Sequence, residues 1–276
     1  MLGICVGIAW GLDGVLMGRV GLNRIFSDSA YALSLGISQF SFDFSPLVTA
    51  FFHEGFCFVW VALFLIFKKQ FKHVFYLLFK TKKGKAAAVA ALVGSPIGMS
   101  AYLLGIKYAS APYASSISVI YPGIGALLSY LILKEKLAIS LTGSFMLGFN
   151  PTGDVPDTFV KGIIFAAIAV LGWALEGVMI GFAMKHIKDE EDVQASPQQL
   201  LCLRYFVAMV TYAVVVLPVI KGYPMAFEIV SQGLVFKYVG IAILGAFTYL
   251  CWYKAVDMIG SAMGTALNST AALWTI

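Results

Sequence analysis

Charged residues are scarce in this chain, at 12%, about half the share of an ordinary soluble domain. Acidic residues are missing altogether between Glu54 and Glu135. Only four cysteines occur, Cys5, Cys57, Cys202 and Cys251. All four lie in apolar stretches without C-x-x-C spacing, which excludes a disulfide scaffold or a zinc ribbon and reads as packing. Histidine is limited to His53, His73 and His186. His53-Glu54 has Cys57 where H-E-x-x-H needs a second histidine, so the metalloprotease pattern fails and no metal is expected. No G-x-x-x-x-G-K-[ST] run is present, so neither a nucleotide-driven step nor a cofactor is expected.

What is abundant is apolar: 60% hydrophobic and 14% aromatic residues, with a mean hydropathy of +0.88. These values predict an all-α integral membrane protein. Spans are expected near 2–18, 46–67, 86–106, 112–133, 137–150, 161–184, 197–220, 233–253 and 258–276, about nine in all, each near the length that crosses roughly 30 Å of hydrocarbon. The first has no basic leader and carries Asp13, which argues against a cleaved signal. Residues 26–44, with Asp28, Gln39, Asp43 and five serines, read as a long loop.

The net charge of +5 does not point to nucleic acid, because Lys68, Lys69, Lys72, Lys80, Lys82, Lys83 and Lys85 gather in one inter-span segment. That segment reads as an orientation signal with affinity for anionic lipid. With the N-terminus cytoplasmic, inner segments hold twelve Lys and Arg and outer ones six, which satisfies the positive-inside rule. The expected location is a bacterial inner or plasma membrane. Asp189, Glu190, Glu191 and Asp192 read as a solvated turn.

A phrase occurs twice: Trp10-Gly11-Leu12-Asp13-Gly14-Val15 and Trp173-Ala174-Leu175-Glu176-Gly177-Val178. Ser45-Pro46 and Ser196-Pro197 each resemble a helix start, with serine as cap and proline in the first turn. At that register His53 matches Arg204. Gly98, Tyr102, Leu103 and Lys107 match Gly245, Tyr249, Leu250 and Lys254. Five expected spans separate the two phrases, so the second copy crosses in the opposite direction. This predicts an inverted repeat of two halves, 1–150 and 161–276. The counterpart of Glu135 falls beyond Ile276, so the second half is expected to lack its fifth helix.

The run Ala111-Pro112-Tyr113-Ala114-Ser115 through Tyr121-Pro122, with Glu135 and Gly143, resembles the fourth-helix signature of the EamA-type drug/metabolite transporter superfamily. The resemblance implies a ten-helix fold of two five-helix halves and a carrier of small metabolites, often an exporter. Here Ser269 stands where the register would repeat Pro122.

Asp13, Glu54, Glu176 and Arg204 are ionisable residues inside expected spans. Each costs about 2.5–3.5 kcal/mol at a helix centre. They are therefore expected to line a central cavity, a carboxylate taking a proton or a substrate amine and Arg204 an anionic group. A buried ion pair of Arg204 with Glu176 or Glu54, fixing register alone, is the competing expectation. His53 joins the candidates as a cavity or interface residue. Trp10 and Trp173 precede the acids by three residues and share their helix faces, where ring faces attract a cation. Tyr121 and Asn268 match across the repeat as further pocket candidates, with Tyr102 and Tyr249 behind them. Pro122 is the expected mid-helix kink.

The sequence thus predicts a secondary-active carrier of small metabolites such as amino acids or drug-like compounds, working by alternating access. Its expected partners are a small-molecule substrate, protons and the lipid bilayer, without nucleic acid; a homodimer is compatible. An inactive or structural membrane fragment and a membrane-embedded enzyme are the alternatives.

Overall fold

The computed structural model describes residues 2–118, 120–134, 157–188 and 195–266. Among them the regular structure is entirely helical. Six helical stretches are long and apolar enough to cross a membrane: Ser45–Phe67, Lys82–Ala109, Ser116–Leu133, Phe159–Lys185, Pro197–Val219 and Val235–Ile259. The first expected span is helix α1, Leu2–Gly21, beside them. The expected span at 137–150 lies outside the described residues. The expected span at 258–276 is described only as the short helix Ser261–Ala266.

Two expectations are corrected. Residues 26–44 are not an open loop: α2 (Arg24–Ser27), α3 (Ser29–Ser34) and α4 (Gln39–Asp43) follow one another. The polar residues that argued for a loop supply the caps, with Asn23, Asp28 and Ser38 each accepting a hydrogen bond from a first-turn amide. Asp28 accepts from the Tyr31 amide and from Arg24, and these bonds hold its carboxyl below the usual range. The lysine-rich segment is also helical. After α5 (Ser45–Phe67), α6 (Phe71–Lys80) turns Val74 and Leu77 inward and Lys72 and Phe79 outward. Thr81 then caps α7 (Lys82–Leu92), so that span starts earlier than its apolar run.

The α7 stretch continues through a π-helical segment, Val93–Met99, that contains Pro96, into α8 (Ser100–Ala109). The missing amide of Pro96 and the widened turn accompany each other. Next come α9 (Ala111–Ser118) and α10 (Tyr121–Leu133). Pro122 sits in the first turn of α10, within the apolar stretch Ser116–Leu133.

The second half comprises α11 (Phe159–Lys185), α12 (Pro197–Thr211) with a π-helical continuation Tyr212–Val216, α13 (Leu217–Val219), α14 (Tyr223–Ser231), α15 (Val235–Ile259) and α16 (Ser261–Ala266). Ser196 and Gln199 form a reciprocal capping box before α12. Ser45, by contrast, is the first residue of α5 and makes no such cap; Phe44 occupies the capping position.

Packing fixes the helix directions. The end of α1 (Val20), the start of α5 (Val48, Phe52), the end of the α12 stretch (Leu217, Ile220) and the start of α15 (Tyr238) share one apolar cluster. The opposite end gathers Leu65, Ala87, Ile180, Leu200, Leu201 and Val256. Helix α11 runs against α8: Gly162 approaches Ala109, Gly172 approaches Gly98, and Glu176 approaches Gly94. A side chain at Gly172 would meet the Gly98 Cα at 2.9 Å. Glycine at both positions permits backbone contact, a common means of helix association in lipid.

Candidate functional site

Two acid–base contacts and an aromatic cluster occupy the middle of the bundle. On α1, Asp13 places Oδ1 2.9 Å from Nε2 of His53 on α5. His53 is 2% exposed and Asp13 14%. The Nδ1 atom of His53 is buried without a hydrogen-bond partner among the described residues. Cys57, one turn further along α5, donates its thiol to the Ala242 carbonyl at 3.4 Å. Gly245 lies so close to the imidazole that a Cβ there would stand 2.8 Å from Nε2, so α15 leaves no room for a side chain at that position.

On α12, Arg204 donates from Nε to Glu176 Oε1 at 2.7 Å and from Nη1 to Glu54 Oε2 at 2.6 Å. All three side chains are fully buried. Arg204 Nη2 donates to the Tyr249 hydroxyl at 3.1 Å, and Tyr253 donates to Glu176 at 3.4 Å. The planar guanidinium can address acceptors on α5, α11 and α15 at once, which a lysine ammonium cannot do in one plane. Two carboxylates share one cation here. The remaining oxygens, Glu54 Oε1 and Glu176 Oε2, are buried without hydrogen-bond partners among the described residues. If both acids are ionised the group carries one excess negative charge, a costly arrangement away from water.

Aromatic rings cluster beside the Arg204 group, and Tyr249 belongs to both. Trp10 meets Trp173 edge to face at 5.6 Å between centroids. Trp10 also packs on Tyr249 at 5.4 Å, while Trp173 packs on Tyr102 at 5.1 Å and on Tyr121 at 5.7 Å. Such contacts give rigid walls with electron-rich faces.

A cavity of about 310 Å³ runs between α1, the first half of α5 and the second half of the α7–α8 stretch. Trp10, Asp13 and His53 line its inner part, Tyr102 and Met99 one wall, and Lys107 the end nearest the short helices. Lys107 is tied down there, donating to the carbonyls of Phe42 at 2.6 Å and Asp43 at 2.9 Å.

Of the residues expected to bind, Asp13, His53 and Trp10 therefore line the cavity. Glu54, Glu176, Arg204, Trp173 and Tyr121 do not border it, and Arg204 directs its donors to the acids and Tyr249 rather than to open space. Asn268 lies outside the described residues. The sequence marks Lys107 only as a basic residue and the repeat match of Lys254, and its apolar context gives no sign that it reaches a cavity. Tyr253 carried no signal beyond its place in an aromatic run. Among the described residues no three of His, Cys, Asp and Glu come together as a metal site.

No protein-family model matches the chain. It is similar to Protein LicB of Haemophilus influenzae, at 29% identity over 287 aligned positions that take in all of this chain and 86% of that protein.

Proposed function

We propose that this protein is a secondary-active membrane carrier of small metabolites, such as amino acids or drug-like compounds, built as an inverted repeat of the EamA drug/metabolite type. The observation that carries the reading is the cavity of about 310 Å³ with Asp13, His53 and Trp10 in its lining. Its size falls at the lower end of small-molecule sites, roughly 300–1,000 Å³. A carboxylate and an indole in one cavity lining suit a solute with a cationic group, which gains from both the charge and the ring.

The repeat reading draws support from matched positions. Asp13 pairs with His53 and Glu176 with Arg204. Likewise Trp10 packs on Tyr249 and Trp173 on Tyr102. In each comparison both partners are repeat equivalents, so one contact is the image of the other. Helix α1 ends where α11 begins, as an inverted pair requires. Such halves enclose a site that opens to each side in turn as one bundle rocks against the other.

In this account Asp13 and His53 form the substrate site and exchange the coupling proton. Arg204, Glu54, Glu176 and Tyr249 hold four helices in register beside it. The N-terminus lies in the cytoplasm and the chain in a bacterial inner membrane. Reconstitution into vesicles, followed by counterflow of a panel of radiolabelled small metabolites, tests the proposal. Exchange of at least one solute above protein-free vesicles is expected. Absence of exchange for cationic, zwitterionic and neutral solutes alike would contradict it.

A further inference from the structure

Helix α1 keeps glycine where nothing presses on it. Gly14 and Gly18 stand about one turn apart on the face that also carries Met17, and all three line the cavity. A Cβ at Gly14 or at Gly18 would meet nothing within 4 Å. Glycines elsewhere in the bundle answer to packing: at Gly98 and Gly172 a Cβ would meet a neighbouring atom at 3.2 and 2.9 Å. Because glycine weakens a helix relative to alanine, two of them inside α1 without a close neighbour hold space open at a cost that packing does not explain.

The opposite wall is apolar as well, with Met99, Leu103 and Ile106 at helical spacing in the same lining. Independently of the glycines, His53 in this lining is 2% exposed and keeps Nδ1 without a hydrogen-bond partner among the described residues. Gly18 lies about 7.5 Å further along α1 than Asp13, so the space beside it receives the body of a solute and not its charged end. We infer that Gly14 and Gly18 set the size of solute admitted: with a cationic group at Asp13, an apolar body runs beside the two glycines against Leu103 and Ile106, and a side chain at Gly18 shortens the longest body that fits. The inference rests on the reading of this cavity as the solute site.

The test uses the purified full chain in detergent, melted with methylammonium, butylammonium or hexylammonium chloride, the apparent affinity being read from the concentration dependence of the melting temperature. In wild type the affinity should rise roughly fourfold per added carbon as each methylene leaves water. Gly18→Leu should bind methylammonium within about twofold of wild type and hexylammonium at least about tenfold more weakly. Gly18→Ala should fall between the two, and it decides the matter if the leucine variant does not fold. Gly240→Leu on α15, where a Cβ also meets nothing within 4 Å and which lies outside the cavity lining, should match wild type with all three ions. Hexylammonium bound at wild-type strength by the Gly18 variants would overturn the inference and leave the site reading standing. An equal loss of all three ions in those variants, or the same loss in Gly240→Leu, would also overturn it. Asp13→Asn binding methylammonium like wild type would contradict the site reading alone, and the absence of any melting shift in wild type would overturn both.

Discussion

Arg204 and Glu176 are joined at 2.7 Å in a site closed to solvent, and Glu54 completes the group from the other side of the guanidinium. Removing the cation leaves two buried carboxylates facing each other, whereas removing one acid leaves a matched pair. Arg204→Ala should therefore lose about 3–5 kcal/mol of stability, and Glu54→Gln or Glu176→Gln distinctly less. Thermal unfolding in detergent orders the three variants. Equal loss in all of them would contradict the two-acids-to-one-cation description.

Close packing between the π-helical segment Val93–Met99 and α11 depends on having no side chain at Gly98 and Gly172. Gly172→Ala should push α11 away from Val93 and Gly98 and cost about 1–3 kcal/mol. Gly14→Ala, where a Cβ meets nothing within 4 Å, should be neutral in the same melt. The contrast separates a packing requirement from a general intolerance of alanine.

Lys107 holds the Phe42 and Asp43 carbonyls beside the cavity. Lys107→Met keeps the aliphatic stem and removes the donors. Amide hydrogen exchange in residues 38–46 should accelerate roughly tenfold, the effect of losing about 1.5 kcal/mol of charged hydrogen bonding. Unchanged exchange would show that the short helices are held by their apolar contacts alone.

The long apolar runs could be read as helices because lipid-spanning length leaves little choice of structure, and Phe159–Lys185 and Pro197–Val219 differ from expectation by only a residue or two. Polar segments were harder. Residues 26–44 form short helices through caps local to Asn23, Asp28 and Ser38, signals too short for hydropathy to register. The ionisable residues were visible as costly charges inside apolar runs, and the pairing of Arg204 with Glu176 or Glu54 was one of two expectations for them. Their division into a cavity group and a sealed group was not visible, because it depends on which face of α5 carries His53 and which carries Glu54. Adjacent residues on a helix point about 100° apart, and only the neighbouring helices decide which direction is open.

The most direct measurement is uptake by vesicles containing Asp13→Asn, compared with wild type at matched protein content and melting temperature. Asparagine keeps the shape and a hydrogen bond to His53 while removing the negative charge from the cavity lining. The loss of a charged hydrogen bond, about 1.5–3 kcal/mol, predicts a fall of roughly 10- to 100-fold in apparent affinity for a transported cationic solute. Wild-type affinity and rate in Asp13→Asn would contradict the assignment of this cavity as the transport site.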